Sequence, residues 1–260
     1  MKGIVAAVAF EWLKLRRSTV MWAATAVLAV AVPLLSAGLM AAARSDSDGQ
    51  LAVKARTMVI GSGWSAHFAV AGQVLSVATL VVIGIVCCWI FGREFTDDTI
   101  GALSSLAVSR GQIATAKFIV LAVWAIVVSA VVVLATILLG LFAYDGWPAS
   151  DEWMVLTKLA VGTLLTAALT TPLALVSSIG RGYLTGIAVL FAIIVTTQIV
   201  TIAGLGSWFP YAAPSLWLGL GGPQAADQIT LIQLLSPLLL SAVAMTATIS
   251  WWRWSSAYRR

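Results

Sequence analysis

Charge is what this sequence has least of. Asp, Glu, Lys and Arg together make up 10% of its 260 residues, where soluble domains carry about 25%. No stretch is polar enough to form a separate water-soluble domain. In place of charge stands a hydrophobic content of 61%. It is gathered into blocks long enough to cross about 30 Å of hydrocarbon as helices, each needing roughly 20 residues. Short alternating segments, the mark of barrel strands, are missing too. The expected class is an all-α integral membrane protein of the cell membrane.

Reactive residues are equally scarce. His67 is the only histidine. Ser65 lies two residues away, residues so spaced on a helix do not face each other, and no G-x-S-x-G nucleophile elbow exists. His67 therefore reads as a residue at the outer end of a helix and not as a protease base. Cys87 and Cys88 are the only cysteines and are adjacent. A disulfide between neighbours would be strained, so both read as buried thiols acting as small hydrophobes. One histidine and two such thiols make a poor metal site. Asp46-Ser47-Asp48-Gly49 opens like a calcium loop, but the later ligands and the closing Glu are absent.

A Walker loop needs glycines upstream of a Lys that is followed by Ser or Thr. Lys2, Lys14, Lys54, Lys117 and Lys158 are followed by Gly, Leu, Ala, Phe and Leu. No enzyme activity and no cofactor are expected in this chain; if ATP drives it, ATP and Mg bind to another polypeptide. No intramembrane acidic pair or charge relay supports proton or sodium coupling. The basic residues flank apolar blocks and form no stripe that would track a phosphate backbone, which argues against nucleic acid.

Six crossings are expected, over residues 20–42, 65–91, 113–144, 153–179, 183–205 and 229–252, in one permease domain spanning 1–260. Pro33 is the expected kink of the first; Pro172 and Pro237 lie inside the fourth and sixth. Residues 1–19 predict an amphipathic helix on the membrane surface. Ile4, Val8, Trp12 and Leu15 recur at helical spacing, and Glu11, Lys14 and Arg17 fall on a different face. The basic region is too long for an ordinary leader, so the segment is expected to be retained. Residues 44–62 read as a solvated loop. Residues 206–228 are rich in Gly, Pro and aromatics, too apolar for a free loop, and read as a re-entrant-like extracellular segment. Trp251, Trp252 and Trp254 ahead of Arg259 and Arg260 fit an aromatic belt. Lys158, near the outer end of the fourth crossing, is expected to snorkel to the surface.

Residues 92–112 hold the densest charge. Arg93, Glu94, Asp97, Asp98 and Arg110, with Lys117 just beyond, lie between two long apolar segments. Thr96 is the expected cap of a short helix, with Asp97 and Asp98 in its first turn. Ile100, Leu103 and Leu106 give that helix one apolar side. Ser109 and Gln112 form a capping-box pair that starts the next span. With six crossings the two ends share a side, and most Lys and Arg fall there, so the positive-inside rule places both termini and this segment in the cytoplasm. Within the crossings, Gln73, Ser76, Thr79, Thr163, Thr166, Thr170, Gln198 and Thr201 either line a path for an amphipathic substrate or bond their own helices and neighbours.

Two motifs carry a resemblance. One is E-x-x-K-L-R-R-S at Glu11–Ser18. The other is F-x-R-E-F-x-D-x-T-I at Phe91–Ile100, followed by the Ser109-Arg110 turn and by Lys117-Phe118. The chain resembles the membrane subunit of type-2 ABC transporters, in the branch with bacitracin- and lantibiotic-resistance permeases. Ala107 departs from the family pattern, which has Pro before the Val-Ser-Arg turn. The resemblance implies a six-helix half-transporter that exports its substrate, pairs with a second copy or a sister permease, and sits in membrane lipid above two cytoplasmic ABC ATPase subunits. It implies an interfacial helix at Glu11, Trp12, Lys14, Arg16 and Arg17. It implies a coupling helix at Thr99–Leu106, braced by Glu94 and Arg110, with ATPase contact through Glu94, Asp97, Asp98, Thr99, Ile100, Leu103, Leu106 and Arg110. Drug, peptide antibiotic and lipid all remain open as cargo. A stand-alone channel or secondary carrier, and an immunity or anchor protein that binds through Trp208–Trp217, are the competing readings.

Overall fold

The computed structural model describes residues 2–103, 108–144 and 146–254. In chain order the helices are α1 (Lys2–Arg16), α2 (Thr19–Arg44), α3 (Gln50–Met58), α4 (Gly63–Thr96), α5 (Ile100–Leu103), α6 (Arg110–Ala143), α7 (Glu152–Ile179), α8 (Tyr183–Ile202), α9 (Ala213–Trp217), α10 (Pro223–Asp227) and α11 (Leu231–Trp254). Among the described residues, α2, α4, α6, α7, α8 and α11 are long and apolar enough to cross a membrane. The all-α, six-span architecture thus agrees with the sequence.

The most enclosed span is α4: 61% of its apolar window lies inside the protein, against 11% for α8. It packs against α7 along both halves of that helix, and against α8, α2 and α6. Gly92 permits a close approach of backbone to backbone. A methyl group there would collide with the backbone of Gly182 and Tyr183, so α4 can touch the turn into α8 only because this position lacks a Cβ.

Several boundaries differ from expectation for identifiable reasons. The first span is not simply kinked at Pro33. A π-turn at Val27–Ala31 precedes the proline, and Pro33 then starts a regular helical stretch. Proline has no N–H to donate, and the wider turn absorbs the missing bond. Part of the expected loop after α2 is helical. In α3, Ala52 and Ala55 are buried three residues apart against α2, and Arg56 Nη2 donates to the carbonyls of Ser45 at 2.6 Å and Ser47 at 2.9 Å. Thr96 does not cap a new helix. It is the last residue of α4, its hydroxyl donates to the Gly92 carbonyl at 3.3 Å, and Asp97 and Asp98 form the turn. Asp98 has the left-handed φ of 53° that Asp tolerates better than most residues. Residues 206–228 form a short 3-10 turn, α9 and α10; α9 packs on α7 and α4, and the turn on α8.

Contacts sort the structure into two ends. Glu11 of α1 meets Lys117 of α6, Gly92 meets the turn into α8, and Gly111 meets Arg253 at the end of α11. At the opposite end Arg44 donates to the Tyr144 hydroxyl, and Lys158 lies over the ring of Trp217. The chain's two described ends therefore share one end of the bundle, where Arg16, Arg17, Arg181 and Arg253 are exposed.

Candidate functional site

The helical repeat places Glu11 and Lys14 on one face of α1, Glu94 in the last turns of α4, and Lys117 two turns into α6. Where these helices meet, the four side chains close into one cluster. Lys117 is 0% exposed. Its ammonium donates to Glu11 Oε2 at 2.9 Å, to Glu94 Oε1 at 2.9 Å and to the Ile90 carbonyl at 3.1 Å, which uses all three of its protons. Lys14 donates to Glu11 Oε1 at 3.1 Å and to Glu94 Oε1. Two acids and two bases leave the cluster formally neutral, which is the condition under which charge tolerates burial.

The second Glu94 oxygen points the other way. It accepts from the Thr99 hydroxyl at 2.7 Å, and the Glu94 carbonyl accepts from the Thr99 amide at 3.0 Å. Thr99 is the residue before α5, so one carboxylate ties the surface loop to α1 and α6. Aromatic rings close the cluster off. Phe91 and Phe118 lie 4.6 Å apart between centroids, and Trp252 contacts Phe91 and Phe95 while its Nε1 donates to Ser178 Oγ at 2.9 Å. Trp252 is thus a buried residue and not part of an interfacial belt; Trp254 is exposed.

The outward face of α1 carries Val5, Phe10, Trp12 and Leu13, with Arg16 and Arg17 exposed at its end. Glu11 and Lys14, by contrast, turn into the protein. Around the loop, Asp97 is exposed and pairs with Arg93 at 3.8 Å, Asp98 is exposed, and Ile100 is buried in the core. Leu103 ends α5, and Leu106 lies outside the described residues. Arg110 opens α6 beside its N-cap Ser109, whose hydroxyl and the Gln112 side chain form the expected capping box.

The polar residues within the spans divide into two groups. The hydroxyls of Thr163, Thr166 and Thr170 donate to the carbonyls of Leu159, Gly162 and Ala167, Gln73 donates to the Met58 carbonyl, and Thr79 is buried. None of these five lines a cavity described here. Ser76, Gln198 and Thr201 do, together with Thr197, Tyr211 and Ser215. They border a mostly apolar space of about 210 Å³ between α4, α8 and the segment that follows α8. His67 is buried, with Nε2 3.0 Å from the Thr136 carbonyl. Lys158 is half-buried, 5.3 Å above the Trp217 ring. Among the described residues no cluster of His, Cys, Asp and Glu could hold a metal.

Sequence reasoning missed the pairing of Lys117. The i,i+3 spacing of Glu11 and Lys14, and a lysine just inside an apolar span, were the available signals. Neither indicates that residues 106 apart in the chain meet.

A family model described as ABC-2 family transporter protein matches residues 7–198, well over half of the chain and all of the charge cluster. The chain is also 21% identical over 173 residues to the bacitracin transport permease protein BCRB of Bacillus licheniformis, an overlap of 65% of this chain and 81% of that protein.

Proposed function

The chain belongs to the ABC-2 transporter family, and from that premise we propose that it exports an amphipathic or hydrophobic compound, driven by two separate cytoplasmic ATPase subunits. As a member it is a multi-pass membrane subunit of an ABC transporter. The further reading has the spans pair with a second copy or a sister permease, and the end carrying the exposed arginines face the cytoplasm, where positive charge collects. A peptide antibiotic is the cargo that the name of the Bacillus licheniformis relative supports; a drug or a lipid would suit the same apolar spans.

The observation that carries this proposal is the double use of the Glu94 carboxylate. One oxygen holds the loop through Thr99, and the other holds α6 and α1 through Lys117 and Lys14. A load on α5 from an ATPase below would move Glu94, and with it the ends of α4 and α6 and the interfacial helix. Helices carry such motion as rods because their backbone bonds are satisfied internally. Midway along α4, Ser76 borders the mostly apolar cavity with Gln198 and Thr201; a cargo contact there would sit on the same rod.

The test is co-expression with the ATPase subunit, comparing the parent with Asp97→Ala/Asp98→Ala and with Thr99→Val. The exposed pair is expected to lose ATPase on co-purification, while Thr99→Val keeps the ATPase and loses cargo-stimulated hydrolysis. If all variants bind and hydrolyse like the parent, force does not enter here.

A further inference from the structure

A second cavity, of about 290 Å³, lies at the end of the bundle opposite the charge cluster. It is bounded by the start of α4, the first turns of α7 and the α9–α10 segment. Phe68 and Leu159 form apolar wall, and Lys158, Asp227, Ser65 and Trp217 bring polar groups to it. The volume is at the lower end of the range of about 300–1,000 Å³ for small-molecule sites, so it suits a head group better than a whole drug-sized compound.

The charges are arranged unusually. The Lys158 ammonium lies over the Trp217 ring at 5.3 Å, which satisfies one side of a cation that still has protons to donate. Asp227 lines the same cavity, yet among the described residues the two form no ion pair. The Ser65 hydroxyl likewise has no hydrogen-bond partner among the described residues. A cation and an anion that face one small space without closing an ion pair are complementary to a ligand carrying both signs.

We propose that this cavity binds the phosphoethanolamine head group of an outer-leaflet lipid. The phosphate accepts from Lys158 and Ser65, the primary ammonium donates to the Asp227 carboxylate, and the apolar wall takes the glycerol side. A choline head cannot donate a hydrogen bond to Asp227, and a glycerol head brings no positive charge. The outer-leaflet location rests on the orientation proposed above; the binding chemistry does not.

The test uses the purified full chain in detergent and calorimetric titration with dihexanoyl phosphatidylethanolamine, phosphatidylcholine, phosphatidylglycerol and free phosphoethanolamine. Saturable binding that favours the ethanolamine lipid is expected, with Lys158→Met weakening it about ten- to hundredfold, the range for a hydrogen bond to a charged group. Asp227→Asn should weaken the ethanolamine lipid and leave phosphatidylglycerol unchanged. Equal binding of all three lipids by the parent, which needs no variant to fold, would overturn the proposal, as would full affinity in Lys158→Met. Binding of free phosphoethanolamine as tight as that of the lipid would overturn the lipid as occupant. No ATPase takes part, so failure here leaves the export proposal standing, and loss of that proposal leaves this binding result intact.

Discussion

Replacing Lys117 with Met keeps the length of the side chain and removes its charge. The ammonium makes three donations, two of them to carboxylates, in a place fully closed to water. After the change Glu11 and Glu94 face Lys14 alone, two anions and one cation. Removing one partner of a buried ion pair costs about 3–5 kcal/mol, because the remaining charge stays buried without compensation. Lys14 is 19% exposed and lets some water reach the cluster, so the lower value, about 3 kcal/mol, is the better expectation. At roughly 2–4 °C per kcal/mol for a chain of this size, the melting temperature should fall by about 6–12 °C. The assay is fluorescence-detected size exclusion of the detergent-solubilised protein after heating. The double variant Lys117→Met/Glu94→Gln removes the stranded charge and should recover part of the loss, giving a coupling of about 1 kcal/mol or more, as expected for residues in one network. That double variant should also hold the ATPase and transport poorly, since the tie between loop and spans is gone. A single variant as stable as the parent, or a double variant that is simply additive, would refute the idea that the cluster acts as a unit.

Other tests address neighbouring parts. Thr99→Val deletes the 2.7 Å bond to Glu94 and should cost about 1.5–3 kcal/mol, the range for a hydrogen bond to a charged group, read in the same heating assay. Gly92→Ala forces a methyl into the backbone of residues 182 and 183 and should cost about 1–3 kcal/mol as overpacking; Gly38→Ala, with open space around it, should be neutral or slightly stabilising by helix propensity. Gln198→Ala should alter cargo export in a cell-based resistance or efflux assay, and Thr166→Val should not, because Gln198 borders a cavity and the Thr166 hydroxyl is spent on the Gly162 carbonyl.

The spans were legible because lipid demands long apolar helices, and the blocks have the required length. The capping box at Ser109 was legible because its two partners are three residues apart. The inward turn of Glu11 and Lys14 was not. On periodicity alone, a charged stripe on a surface helix points to water, and only a lysine and a glutamate from other helices reverse that. The ring partner of Lys158 was hidden in the same way, because Trp217 comes 59 residues later. The threonines of α7 behave as the simpler of the two alternatives held, bonding carbonyls three or four residues back.

The π-turn in α2 has a consequence for how this chain tolerates length changes. Such a turn houses one residue beyond regular winding, so deleting any one of residues 27–31 would let α2 close into an uninterrupted α-helix. Everything beyond the deletion would keep its facing, because closing the wide turn removes only the surplus residue. Arg44 would still reach Tyr144, and the inward row Val32, Ser36 and Met40 would still face the protein. A deletion from the regular winding at 34–38 has no such slack and would turn the rest of the span by about 100°, so insertion into the membrane would survive a lesion that assembly of the bundle would not.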